Sequence, residues 1–587
     1  MEIAKITMVD YKLGPSLYEA VKRVNELLGG KLHFQFYDTR EVDNGLVDYE
    51  RFRGDLRDSH VVLLNIMGGD TVSKIVCEEL SNTDNTVVVL VGGSSEIVSL
   101  TRLGSFSFKM LSRLGMGKRK ADYGAILKMR ERFERIGRNL PFSFLKHARN
   151  YVLLLKYYEN PTVENYYAML LLLIKEYCKL KIDAEIPEPI VLPSMGVMNF
   201  KSGDVYTDIN DYLTMYEHKD RPLVGILFYG GHHHEESYPA AKLLTEKLES
   251  SGFGVIPVFS SDLRYYLAID RFFFIGGKPI VELIIDLLWF RFAGGPIGGD
   301  HNLTLSALTR LNVPILHSVQ LHSRTTDEWL CSRQGLSPIE IVTSVTLPEL
   351  DGRIEPTVTH GPTRKTLEDV KIEEYQVIEE RVEKLVRRAK SWVNLRNKRN
   401  SEKRIAIIIY NYPPGEENLG KAEGLEIFKS LSKLLQAMKE RGYTISEDLT
   451  PEKMKEILLS KGVMNSGKWL HTSKVLDGMI KVPQGSYGKW LKELPDKPLG
   501  EVLREWGNPP GTIMARKNQL LIPGIRLGNV FIGVQPARGV HENISKIYHD
   551  KDLPPHHQYI AFYKWIKNEF KADALIHLGT HGTLEFL

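Results

Sequence analysis

The sequence predicts an α/β protein of several domains, in which parallel-sheet units are separated by helical segments. Three observations lead there. Short apolar runs such as Val61-Val62-Leu63-Leu64-Asn65-Ile66 alternate with stretches of helical periodicity, the pattern of strands buried on both faces of a parallel sheet. Several of these runs end in paired glycines, Gly68-Gly69, Gly92-Gly93 and Gly230-Gly231, where a strand turns into the next helix. A chain of 587 residues, 43% hydrophobic and 26% charged, is also too long for one core.

Composition excludes several classes of function. With 77 basic and 73 acidic residues the net charge is +4, so nothing global calls for nucleic acid or an anionic membrane. Cys77, Cys178 and Cys331 lie too far apart for a CxxC zinc site or a paired disulfide framework, and a reducing, cytoplasmic setting is expected. Residues 1–9 alternate like a strand rather than an export signal, and the other apolar runs are too short or too interrupted to span a bilayer. No membrane anchor is expected.

The pattern divides the chain into an N-terminal α/β domain (1–115), a helical segment (116–190), a second α/β domain (191–365), a charged helical linker (366–403) and a third region (404–587). In the first domain, strands at 3–9, 32–37, 61–67 and 86–91 surround a helix at 16–28. A long apolar stripe at 163–180 marks the helical segment. The second domain opens with the strand 222–229, breaks at Gly230-Gly231-His232-His233-His234-Glu235-Glu236, and continues with a helix at 240–248 and strands at 254–259 and 313–317. Three adjacent histidines cannot all face one ion from a regular element, so this reads as a polar loop at a helix start rather than a metal site. Residues 367–403 are strongly charged with Val377, Ile378, Val382, Leu385 and Val386 at helical spacing, which predicts a long exposed helix.

The third region begins with the strand 405–410, and Gly415 to Lys421 behind it nearly spells a phosphate-binding loop. The next residue is Ala422, which lacks the hydroxyl that would hold magnesium, and Glu416 and Glu417 would repel phosphates. No nucleotide-binding residue is assigned. A strand at 530–534 stops at Gln535-Pro536-Ala537-Arg538-Gly539, and a helix at 556–570 carries Tyr559, Phe562, Tyr563 and Trp565. Six of the 18 histidines (541, 549, 556, 557, 577 and 581) fall in this last part, a concentration that favours a reactive site. The closing string His577-Leu578-Gly579-Thr580-His581-Gly582-Thr583-Leu584-Glu585 reads as a strand running into a reactive turn, since its glycines disfavour helix. The competing reading makes His577 a core histidine and Glu585 a helix-start carboxylate.

Five strings resemble one family and follow its order along the chain: residues 347–356 (with Val313-Pro314 before them), Asn411-Tyr412-Pro413-Pro414-Gly415, Gly533 through Gly539, His549 with Asp552-Leu553-Pro554-Pro555-His556, and the closing string from His577. They are similar to the large subunit of ATP-dependent tetrapyrrole chelatases, the CobN-type cobaltochelatase subunit and the magnesium chelatase H subunit. The likeness runs from about residue 190 to the end and is loose before it. It implies a subunit that binds a tetrapyrrole and forms nitrogen–metal bonds in it, while an AAA+ ATPase subunit and an integrin-like adaptor hydrolyse ATP and transmit its energy. No bound cofactor of its own is implied.

On this resemblance Glu585, His581 and His577 are the catalytic candidates, with Glu585 and His581 as transient metal ligands. Arg538, Gln535, Asn411 and Tyr412 are the substrate-binding candidates, Arg538 as a bidentate clamp on a substrate carboxylate. For Arg538, Gln535 and Asn411 strand-end turn chemistry is the competing role. The expected reaction inserts cobalt into a corrin-type ring in cobamide synthesis. The alternatives are magnesium insertion into protoporphyrin IX, and a non-catalytic tetrapyrrole-binding or scaffold protein. A zinc hydrolase is disfavoured, because Leu578 follows His577 where H-E-x-x-H needs its general base. Family members continue well beyond the terminal motif, so a fragment or one half of a split subunit is expected, inactive without its partners.

Overall fold

The strand Ala4–Asp10 (β1) has its apolar side chains buried because neighbours cover both its faces. It pairs in parallel with β2 (Leu32–Asp38) and β3 (Val61–Ile66), and β3 pairs in parallel with β4 (Thr86–Gly92). Two short strands, β5 (Arg102–Leu103) and β6 (Phe106–Ser107), complete the order β2-β1-β3-β4-β5-β6. This is a computed structural model, and it describes residues 3–109, 143–178, 180, 182–231, 234–293, 300–367, 370–410, 419–420, 422, 424–447, 450–460, 479–537 and 552–579. The chain divides into two compact units, Met1–Lys390 and Ser391–Leu587.

In the first unit the helix Pro15–Leu27 buries Leu17, Ala20 and Val24, which share one helical face, onto the sheet. The helices Ser143–Glu159 and Val163–Tyr177 join that same core, so this part of the expected helical segment packs on the first sheet instead of standing apart from it. A buried carboxylate sits at the end of β1. Asp10 accepts hydrogen bonds from Tyr158 Oη (2.6 Å), Asn65 Nδ2 (2.8 Å) and the Tyr11 backbone N–H (2.7 Å). Burial outweighs these donors and pushes its pKa up to about 7.

The second sheet of this unit has the order β16-β15-β14-β13-β9-β10-β7-β8. Its centre is parallel: β10 (Gly254–Ser260), β9 (Leu223–Tyr229), β13 (Leu283–Asp286), β14 (Ile315–Gln320) and β15 (Arg353–Leu367). At its edges β7 (Met195–Met198), β8 (Val205–Tyr206) and β16 (Val370–Val377) run antiparallel to their neighbours, and β11 (Phe274–Ile275) with β12 (Lys278–Pro279) forms a separate ribbon. The expected helix across 367–403 is corrected here: its first part is the strand β16, paired antiparallel with β15, and the helix runs only over Glu379–Asn397. Its face is not exposed either, since Val382, Leu385, Val386 and Ala389 are buried. Glu236, at the start of the helix after β9, is a buried hub that receives Lys12 Nζ (2.6 Å), Tyr11 Oη (2.7 Å) and Gln320 Nε2 (2.8 Å). His234 beside it hydrogen-bonds the Tyr229 carbonyl (3.1 Å), so the one member of the histidine loop among the described residues caps a strand end.

The second unit is built on a smaller sheet, β21-β22-β17-β23. β17 (Ile405–Ile409) is central and pairs in parallel with β22 (Val530–Val534) and β23 (Ala574–Leu578), while β21 (Gly524–Leu527) is antiparallel to β22. The three strands β18 (Ile480–Pro483), β20 (Gln519–Ile522) and β19 (Ala515–Arg516) form a separate antiparallel sheet. Alternation along β17 sends Ile405, Ile407 and Ile409 to the layer of helix Ile427–Glu440, and Ala406 and Ile408 to that of helix His557–Trp565. The helix after β17 begins at Ile427 rather than at Lys421, and Ala422 packs against the first of these layers. Among the described residues no helix is long and apolar enough to cross a membrane.

Candidate functional site

Three of the motif strings leave the same edge of one sheet. Ile409, the last residue of β17, is level with Val534 of β22 on one side and with Leu578 of β23 on the other. Neighbouring strands lie ~4.8 Å apart, so the chains leaving at Tyr410, Gln535 and Gly579 depart within ~10 Å of one another. The exits are tied together, as the Gln535 backbone N–H donates to the Ile409 carbonyl at 3.0 Å. Two glycines serve this edge. A Cβ on Gly533 would stand 2.7 Å from the Phe531 ring and 3.0 Å from Phe562, and Gly579 ends β23 at φ +151°, a backbone that favours glycine. The carboxyl edge of a parallel sheet is where such folds place ligands.

Gln535 is 1% exposed, and its amide N–H donates to Tyr563 Oη at 2.8 Å. The Tyr563 ring lies nearly parallel to the His577 imidazole, at 10° and 6.4 Å between centroids. His577 keeps an exposed surface on the edge strand β23, while the protein packed behind it pushes its pKa below the ordinary value. It is therefore a neutral imidazole near pH 7, able to accept a proton. The Tyr563 hydroxyl is held protonated, with its pKa well above the usual phenol value through burial and the neighbouring Tyr559.

The other histidines of the last segment divide by role. His556 caps the helix His557–Trp565, its Nδ1 accepting from the Tyr559 backbone N–H at 3.2 Å. His557 lies 2.9 Å from the Gly507 carbonyl through Nε2 and 2.9 Å from Tyr487 Oη through Nδ1. A carbonyl only accepts, so Nε2 carries the proton, Nδ1 receives the Tyr487 hydroxyl, and the ring is satisfied. Pro554, in the same string, accepts from Trp506 Nε1 at 2.8 Å. These residues build the scaffold beside the edge.

Glu585, His581, Arg538, Asn411 and Tyr412 lie outside the described residues. Of the residues singled out beforehand, the structure therefore brings together Gln535 and His577. It does so through Tyr563, which sequence reasoning noted only as an aromatic. The available signal was its spacing of four from Tyr559, which puts both hydroxyls on one helix face. Among the described residues no group of three or more His, Cys, Asp or Glu side chains is arranged to hold a metal ion.

Comparison with known proteins bears on this edge. Residues 155–587 match the family described as CobN/Magnesium Chelatase, and residues 2–157 match a domain of unknown function, DUF3479. The chain belongs to the CobN/magnesium chelatase family. The magnesium-chelatase subunit ChlH of Oryza sativa is 30% identical over 92% of this chain and 40% of its own length. The aerobic cobaltochelatase subunit CobN of Pseudomonas aeruginosa is 30% identical over 62% of this chain and 29% of its own length. An uncharacterised protein of Methanocaldococcus jannaschii is 36% identical over 74% of this chain. In fold, the catalytic subunit of cobaltochelatase from Mycobacterium tuberculosis matches 99% of the chain at a TM-score of 0.60 and 22% identity, over 43% of its own length. This family member spans about two-fifths of the length of the magnesium-chelatase relatives.

Proposed function

We propose that the chain is the part of a chelatase large subunit that seats a tetrapyrrole while a divalent metal is inserted into it, and that the seat lies at the carboxyl edge of β22-β17-β23. The observation that carries this reading is the common exit of three family strings at that edge, with Gln535 and His577 gathered on Tyr563.

Insertion requires that a metal ion lose bound water and that two pyrrole N–H protons be taken up. Magnesium, with its tightly held hydration shell, makes the first step costly. A neutral imidazole and a carboxylate both accept protons near pH 7, which fits His577 and, in the proposed arrangement, Glu585 with His581 beside it. Glu585 and His581 would replace departing waters as transient ligands. Arg538 would pair with a carboxylate on the macrocycle rim, with Gln535, Asn411 and Tyr412 orienting polar edges. ATP hydrolysis is assigned to partner subunits, an AAA+ ATPase with an integrin-like adaptor, and the chain to the cytoplasm.

The metal is proposed to be cobalt and the ring corrin-type, on the likeness of residues 347–356 to the cobalt enzymes. Magnesium with protoporphyrin IX is the second reading. It is favoured by the rice magnesium-chelatase subunit, whose match covers 92% of the chain against 62% for the Pseudomonas cobaltochelatase subunit.

The test is Glu585→Gln in the complete subunit assembled with its partners. A proton acceptor that matters mainly in the transition state should leave tetrapyrrole affinity within a few fold and lower insertion by about 10² or more. Insertion at the normal rate would make Glu585 a structural carboxylate. Offering cobalt and magnesium separately in the same assay decides between the two metals.

A further inference from the structure

We propose that Tyr563 is a positioning residue of the tetrapyrrole seat, holding together two groups that arrive on different strands: Gln535 by a hydrogen bond and His577 by ring stacking. The inference rests on the seat proposed above and extends it to a residue outside the family strings.

Gln535 and His577 lie 42 residues apart in sequence, on the outgoing ends of β22 and β23, and β17 runs between those strands. Neither strand pairs with the other, so the sheet ladder alone does not fix one side chain against the other. Tyr563 comes from the helix His557–Trp565, which packs over that face of the sheet with Phe562 against Phe531. Its hydroxyl accepts from Gln535 Nε2 at 2.8 Å, and its ring packs against that of Tyr559, which is 2% exposed. The Gln535 amide is thereby oriented, because its NH2 group faces the phenol and its carbonyl must point elsewhere.

The same ring backs His577. A lone imidazole on an edge strand has several open rotamers, and a nearly parallel aromatic surface at 6.4 Å restricts them while leaving the outer side of His577 exposed. Tyr559 and Tyr563 are themselves in contact at 5.3 Å between ring centroids, so the platform is anchored within the helix. One residue thus sets the direction of an amide on one strand end and the plane of an imidazole on the other. A flat macrocycle laid across the edge would meet the exposed side of His577, while the buried Gln535 holds Tyr563 from behind.

Four variants of the full 587-residue chain test this: Tyr563→Phe, Tyr563→Leu, Gln535→Ala, and Tyr563→Phe combined with Gln535→Ala. The probe is metal-free deuteroporphyrin, titrated by quenching of tryptophan fluorescence, with the His577 ring protons followed by NMR and assigned through His577→Gln. Tyr563→Phe keeps the ring and removes the hydroxyl, so it should weaken binding by about three- to tenfold and leave the His577 resonances in place. Combining it with Gln535→Ala should add little, because both remove the same restraint. Tyr563→Leu should weaken binding further and move the His577 resonances. Single effects that multiply in the double variant, or His577 resonances unmoved by Tyr563→Leu, would overturn the positioning role while leaving the seat standing. A wild-type chain that binds no porphyrin would overturn the seat and the role together.

Discussion

Single residues carry two strong electrostatic commitments in the first unit. Asp10 has its pKa raised from 3.8 to about 7. The folded protein therefore holds a proton that the unfolded chain releases near pH 4, and stability falls as pH rises through that window, by about 1.4 kcal/mol per unit at most, before levelling above pH 7. Asp10→Asn should remove this slope and raise stability at neutral pH, since the amide oxygen can accept from Asn65 and Tyr11 while its NH2 donates to Tyr158 Oη. Urea melts of both proteins from pH 4 to 8 check it, and parallel curves would refute it. Glu236 is the second commitment. Removing Lys12 alone by Lys12→Met strands a buried carboxylate and should cost about 3–5 kcal/mol, whereas Lys12→Met with Glu236→Gln should recover much of that loss. Additive losses in the same melts would show that the two side chains do not depend on each other.

At the scale of elements, the sequence was most legible where physics acts locally. The strands β1, β3, β9, β17 and β22 are mostly apolar because both their faces are covered, and each stands where the pattern put it to within a residue or two. The strand β16 was hidden because Val370–Val377 carries Lys371, Glu373 and Glu374, and its pairing partner β15 supplies the order that its own composition does not. Glu373 is buried there against Arg40, over three hundred residues away, which reaches it at 2.7 Å, with Arg364 at 3.6 Å. The candidate site was legible in the same partial way. The strings marked the sheet edge, but Tyr563 joins Gln535 and His577 through contacts across 28 and 14 residues that no local pattern records. Histidine number alone does not assign roles, since His556 and His557 serve as a cap and a satisfied core group while His577 stands at the edge. Gly533→Ala tests the packing of β22. Its methyl would meet Phe531 and Phe562 and should cost about 1–3 kcal/mol, read as a lower melting temperature; an unchanged value would mean that the rings have room to retreat.

For the molecule as a whole, the division into Met1–Lys390 and Ser391–Leu587 gives each unit its own hydrophobic cores. Calorimetry should accordingly resolve two transitions, with Asp10→Asn moving one and Gly533→Ala the other. A single transition moved by both would show that the units unfold together. The most direct test of the central claim, that the edge of β22-β17-β23 seats a tetrapyrrole, is a fluorescence titration of this chain with a metal-free porphyrin carboxylate, comparing wild type with Arg538→Ala. The account predicts saturable binding that weakens about tenfold or more in the variant, as expected for losing a charged hydrogen bond of about 1.5–3 kcal/mol. Saturable binding of equal strength in both proteins would remove Arg538 from the seat, and no saturable binding by the wild type would contradict the claim itself.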